Sequence, residues 1–297
     1  MKKFKYIFLI LIITSILWGC ENGNDNINID LKVNKDNDVI LNIMTTDKML
    51  FYMTKDVVGD KHLVEFMFRN REEELNYSFS EDAISNISKY DLFIYNGEGL
   101  EPWASDFVGK LSKGKLGIIN LSRGINILSY SSNIKYKGYI FKENPYYWMN
   151  IDNYKIALLN IKNAIQDKDP KNREFYEKNF NDTLKDLDDY EKIMKEISSA
   201  FKDLDTYYVE EDLEYFLKYL NIKSVKLEED KKFEISKEKF FFYYDEKKLE
   251  EMKDAINKYN LVPVKILIHK EDAKYIDIVK LNLDVLSKIV PAKEEKK

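Results

Sequence analysis

The chain has 297 residues, 44% of them hydrophobic and 33% charged, with a formal net charge of −5 at pH 7. An acidic chain whose lysines are interleaved with Asp and Glu is not built to hold nucleic-acid phosphates, and a single cysteine leaves no intrachain disulfide. Beyond the first twenty residues no apolar run is long enough to span a bilayer, and the length suits two domains.

Lys2, Lys3 and Lys5 precede an apolar run from Ile7 to Ile13 that Thr14-Ser15-Ile16-Leu17-Trp18 extends. This is the charged and apolar order of a secretory signal, and it is too short for a stable membrane span. It ends at Leu17-Trp18-Gly19-Cys20, an aliphatic residue, a small residue and then the only cysteine, which reads as a lipidation site. Residues 1–19 are therefore expected to be a signal peptide. Cys20 is expected to be the lipid-anchored N-terminus of a protein held on the extracytoplasmic face of the membrane. Several acyl chains, at about 0.8 kcal/mol per buried CH₂, make a firm anchor. Residues 20–37, rich in Asn and Asp, read as a flexible tether.

Alternation of strand and helix then begins. Val39 to Met44 reads as a strand, and Thr45-Thr46-Asp47 offers N-cap chemistry for a helix that ends at Gly59. His62 to Phe68, Asp91 to Tyr95 and Leu116 to Leu121 read as further strands, with a helix over Ser80 to Lys89. Near-continuous apolar strands in this order predict a parallel sheet covered by helices. A helix over Asn153 to Gln166 follows. Phe175, Phe180, Leu184, Leu187, Met194, Ile197 and Phe201 then mark one amphipathic helix of about 30 residues, roughly 45 Å long. The second half repeats the pattern, with strands at Thr206–Val209, Ile222–Leu227, Phe240–Tyr244 and Val262–Ile268, and helices at Asp212–Leu220, Glu246–Tyr259 and Glu271–Ile289. The expected architecture is α/β: an N-terminal lobe over 38–170, a linking helix over 171–201, a C-terminal lobe over 202–291 and a charged tail over 292–297. Ligands of such sheets bind outside the carboxyl ends of the strands, here between the lobes.

Four stretches resemble the metal-binding subunits of ABC importers for zinc and manganese, two-lobed proteins joined by a rigid helix. They are Thr45-Thr46 with Asp56-Val57-Val58-Gly59-Asp60-Lys61, Ser88 through Asn96-Gly97 to Glu101-Pro102-Trp103, Asn144-Pro145-Tyr146-Tyr147-Trp148, and Asp169-Pro170-Lys171-Asn172 through Asn179. The second is the most specific. The resemblance implies a receptor that presents its solute to a membrane permease, and a metal site of three imidazoles and a carboxylate. The matching positions here hold Leu75, Tyr146, Glu210 and His269, and the stretch between Leu227 and Phe240 is shorter than in the family.

His62 and His269 are the only histidines, and Cys20 is taken by lipid, so a three-histidine zinc site within this chain is impossible. Glu210, His269 and Tyr146 are the candidate ligands. Oxygen donors with one imidazole suit manganese or iron better than zinc. The cleft is expected either to hold a metal through this altered set or to take something other than a metal. His62, beside a turn, reads as an exposed or half-buried structural histidine. Tyr146, Tyr147 and Trp148 read as packing residues that could also stack on an organic ligand. Gly97-Glu98-Gly99 lacks a third glycine and reads as a turn, not a nucleotide fingerprint. There is no G-x-S-x-G elbow or P-loop, and pairs such as Asp188-Asp189 read as solvated charge, so no enzyme is expected. The expected protein is a monomeric solute-binding lipoprotein of a metal-type ABC importer. The alternative is a surface lipoprotein that kept the fold for adhesion or for a non-metal ligand.

Overall fold

The computed structural model describes residues 38–97, 99–112, 114–136, 138–227 and 239–289. The signal peptide, Cys20, the tether and the charged tail lie outside the described residues. Among those described, no helix is long and apolar enough to cross a membrane.

The N-terminal lobe is a four-stranded parallel sheet of β1 (Asn42–Asp47), β2 (Leu63–Phe68), β3 (Leu92–Tyr95) and β4 (Gly117–Asn120), in the order β2-β1-β3-β4. The C-terminal lobe sets β7 (Asp205–Tyr208), β8 (Ser224–Lys226), β9 (Lys239–Tyr243) and β10 (Leu261–Lys265) in the order β10-β9-β7-β8. Both sheets have the same topology: the first strand pairs with the second and third, and the third with the fourth. Between the lobes run β5 (Ser129–Tyr136) and β6 (Tyr139–Glu143), an antiparallel hairpin turned at Gly138 with φ 87°.

Alternation along the strands places side chains on two faces. Ile43, Leu92 and Ile94 of the first sheet face the same central core as Phe240, Phe242 and Val264 of the second. Met44, Phe68 and Phe93 enter an outer core with Trp103 and Phe107, while Tyr207, Phe241 and Tyr243 enter another. The central core is threaded by α1 (Lys48–Val58), α5 (Ile151–Lys168), the linking helix α6 (Arg173–Ala200) and α10 (Tyr275–Ile289). At 28 residues α6 is about 42 Å long. It buries Tyr176, Phe180, Leu187, Met194 and Ile197; of the stripe its periodicity predicts, Leu184 is only partly buried and Phe175 is exposed, Tyr176 taking the inward place beside it. The lobes therefore share one apolar core and are not beads on a linker. Stacked Tyr154 and Tyr275, with centroids 3.8 Å apart, and the Lys274–Asp56 pair at 2.6 Å add to the join.

Helix starts follow their capping residues. Asp47, Asn70 and Ser80 accept the N–H of Leu50, Glu73 and Ala83, opening α1, α2 (Arg71–Leu75) and α3 (Glu81–Ile87). α2, α4 (Ala104–Lys110) and the hairpin are additional to the sequence expectation. The single helix expected over Glu246–Tyr259 is two, α8 (Glu246–Glu251) and α9 (Lys253–Tyr259), parted at Met252. The helix expected over Asp212–Leu220 opens with a 3₁₀ turn, leaving α7 at Glu214–Tyr219. The last helix starts at Tyr275, four residues beyond Glu271.

His62 is fully buried, deeper than its turn suggested. Its Nδ1 accepts the N–H of Leu41 at 3.3 Å, which places the proton of the neutral ring on Nε2, 2.6 Å from the Tyr176 hydroxyl. Tyr176 in turn donates to Asp169. Burial lowers the His62 pKa, against the pull of Asp169. This relay ties the strand edge of the N-terminal lobe to the turn that opens α6.

Candidate functional site

The carboxyl ends of both sheets face one another, and each is closed by a buried glutamate. In the N-terminal lobe Glu101, 4% exposed, accepts the Thr46 hydroxyl at 2.7 Å and the N–H groups of Asn96 and Gly97 at 2.8 and 2.9 Å. It thereby pins the ends of β1 and β3, where the crossovers diverge. Burial pushes its carboxyl up to about 7 despite those donors. Gly97 has φ 79°, and a Cβ there would lie 2.1 Å from Asn120 Oδ1, so the turn requires glycine. In the C-terminal lobe Glu210 accepts the N–H groups of Tyr244 and Asp245 at 2.9 and 3.3 Å, pinning β9 beside β7. Burial pushes it up to about 7 as well.

Between these closures lies a cavity of about 540 Å³. The N-terminal lobe contributes Asp47, Arg71, Glu74, Leu75 and Leu100, the hairpin Tyr130, Ile134 and Phe141, the turn after it Tyr146 and Trp148, and the C-terminal lobe Asp212, Tyr244 and His269. Of the expected ligands, Tyr146 and His269 line the cavity. Glu210 is not among the lining residues, its carboxylate being engaged by backbone two positions away from Asp212. Among the described residues no three His, Cys, Asp or Glu side chains are grouped as a metal site.

The polar centre is built from residues the sequence reading passed over. Arg71 pairs with Glu74 at 2.7 Å and also donates to the Leu100 carbonyl. Glu74 is 2% exposed and one of its oxygens, Oε1, has no hydrogen-bond partner. Its carboxyl is pushed well up, first by burial and then by Glu101, with Arg71 opposing. Asp212 accepts hydroxyl donors from Tyr130 and from Tyr244, the latter at 2.5 Å. Burial raises its carboxyl, and the hydrogen bonds from Tyr130 and Tyr244 oppose that more than the Arg71 charge does. Tyr146 is raised by burial and by Asp212, with Arg71 opposing by charge and by a side-chain hydrogen bond. Its ring stands edge-on to Trp148 at 5.5 Å. One signal was available beforehand. The chain has only four arginines, and two of them, Arg69 and Arg71, line this cavity.

The hairpin belongs to the N-terminal chain but bonds across the gap. Ser131 N–H meets Glu211 at 2.6 Å, Leu128 N–H meets the Tyr215 hydroxyl at 2.7 Å, and Asn144 donates to the Glu211 carbonyl at 2.7 Å. Trp148 Nε1 reaches the Ile268 carbonyl at 3.3 Å.

Two parallel α/β lobes that share a core through one long helix and enclose a cavity at the carboxyl ends of both sheets define a two-lobed solute-binding fold. The sequence model of the zinc-uptake complex component A, periplasmic, matches residues 43–264, and the chain belongs to that family. It is 26% identical over 200 residues to the high-affinity zinc uptake system protein ZnuA of Bacillus subtilis, covering 65% of this chain and 61% of that protein. It is 27% identical over 201 residues to the manganese ABC transporter substrate-binding lipoprotein PsaA of Streptococcus mitis, covering 66% and 61%. The match thus spans about three fifths of the length of these relatives. The fold is similar to Zn(II)-bound AdcA of Streptococcus pneumoniae, with TM-score 0.66 and 18% identity over 86% of this chain and 58% of that one. It is also similar to the metal-dependent lipoprotein YcdH of Bacillus subtilis, with TM-score 0.64 and 20% identity over 85% and 100%.

Proposed function

We propose that the chain is the extracytoplasmic solute-binding lipoprotein of a metal-type ABC importer, with an altered ligand set in the cleft. The carrying observation is the cavity itself, set between two lobes at the switch points of both sheets in a member of this family. Relatives named for zinc and for manganese support an inherited metal cargo as the starting point. In this chain Tyr146 and His269 reach the cavity, Asp212 supplies its floor, and Glu210 anchors the backbone beside it. The protein acts as a monomer, anchored through Cys20, and docks on a membrane permease. It does no chemistry on its solute.

The test is association. The full lipidated chain, expressed with its native envelope, should fractionate with membranes and co-purify with an ABC permease after cross-linking, and Cys20→Ser should release it from the membrane. A wild-type chain that is soluble and captures no permease would refute the reading.

A further inference from the structure

We infer that Arg71 is the specificity residue of the cleft: its guanidinium stands as a tethered cation at the acidic centre, so the cleft rejects bare divalent metal ions and takes an organic solute. This rests on the receptor reading above and goes beyond it by naming the class of solute.

Three carboxylates line the cavity, and each is engaged by protein donors, Glu74 through one of its two oxygens. Asp47 accepts from Leu50 N–H at 2.8 Å and from the Asn96 amide at 2.7 Å. Asp212 is held by two phenol hydroxyls. Glu74 is paired with Arg71. Arg71 is fixed in turn by the Leu100 carbonyl, and it lines the same cavity as Asp212 and Tyr146. A divalent ion set among Glu74, Asp212 and Tyr146 would meet this fixed positive charge at short range, in surroundings that screen poorly. One helical turn along α2 from Arg71, Leu75 presents hydrocarbon to the same cavity.

The space points the same way. A cavity of about 540 Å³ walled by Trp148, Phe141, Ile134 and Leu100 far exceeds a bare ion. It falls within the range of small-molecule sites, about 300–1,000 Å³. The Arg71 side chain is 29% exposed and lines the cavity. A guanidinium in that position suits a carboxylate on an organic body resting against the aromatic wall.

The experiment is thermal melting of the full chain in detergent, with and without millimolar MnCl₂ or ZnCl₂. The wild-type melting temperature should not move with either metal. Arg71→Met removes the cation from Glu74 and Asp212, and its melt should rise by several degrees with metal. Adding Asp212→Asn should abolish that rise. A metal-induced rise in the wild type, or none in Arg71→Met, overturns the inference and leaves the receptor reading standing. Where Arg71→Met does not fold unaided, refolding in metal or in chelator decides: recovery only with metal supports the inference, and recovery with neither overturns it. Native mass spectrometry of the wild type taken from its own membrane should show an organic adduct, and a bare metal adduct would overturn the inference.

Discussion

Replacing Glu101 by glutamine and comparing urea unfolding of the two proteins between pH 5 and pH 8 isolates one carboxyl group. Glu101 titrates at about 7 in the fold against 4.5 in its ordinary setting, because burial at the ends of β1 and β3 disfavours the anion. Folding thus tightens its hold on the proton. Its contribution is fully present below the ordinary value and is lost as pH rises through about 7. That difference corresponds to roughly 3 kcal/mol, of which about 2.5 kcal/mol falls between pH 5 and pH 8. Glutamine does not titrate. Its amide oxygen can still accept from Thr46 and Asn96, but its NH₂ faces the Gly97 N–H, at a cost of about 1–3 kcal/mol at every pH. The variant should therefore be weaker at pH 5 and should lose less on the way to pH 8. Parallel stability curves for the two proteins would refute the reasoning, because Glu101 would then titrate alike in both states.

His62 works in the opposite direction. Its folded pKa lies below the ordinary 6.5, so its contribution is present above that value and is lost as pH falls, and a His62→Gln variant should flatten the acid side of the stability profile. Tyr176→Phe leaves His62 Nε2–H without its acceptor and removes one donor from Asp169, which keeps Asn172, and should lower stability by about 1–3 kcal/mol in urea. A midpoint equal to wild type would show that the relay carries no stability. Gly97→Ala should fail to accumulate as folded protein, because its Cβ would overlap Asn120 at a positive φ, and a wild-type circular dichroism melt would contradict that. Leu187→Ala, at a fully buried position on α6, should cost about 2–5 kcal/mol and should lower both lobes in one transition, because they share that core. Two separated transitions would refute a shared core.

The fold was largely legible because strands buried on both faces and a helix with one long stripe are strong periodic signals. Strands such as Leu92–Tyr95 and Lys239–Tyr243 came out within a residue or two. The hairpin was missed because its strands, Ser-Tyr-Ser-Ser-Asn-Ile-Lys-Tyr and Tyr-Ile-Phe-Lys-Glu, carry polar residues that bond across the cleft instead of entering a core. The break at Met252 left no mark, since neither Gly nor Pro stands there. The site was legible only as a location. Tyr146 and His269 were placed at the cleft by resemblance. Arg71, Glu74 and Asp212 were not, because the short helix that pairs Arg71 with Glu74 was not expected and spacing does not say that Asp212, from the other lobe, meets them.

Glu210 and Asp212 show why the acid nearest a matching position need not be the one a solute meets. Glu210 performs in the C-terminal lobe the task Glu101 performs in the N-terminal lobe, holding two backbone N–H groups at the end of a crossover. Turning it into the cavity would strip Tyr244 and Asp245 of their acceptor, a cost of about 1–3 kcal/mol for each group left buried and unpaired. Among the described residues Asp212 is held by the hydroxyls of Tyr130 and Tyr244, which can rotate toward an incoming solute without breaking secondary structure. A solute therefore recruits Asp212 at smaller cost. Glu210→Gln should act mainly on stability, whereas Asp212→Asn should act mainly on solute binding. If melting and binding respond the other way round, the roles assigned to the two acids are reversed.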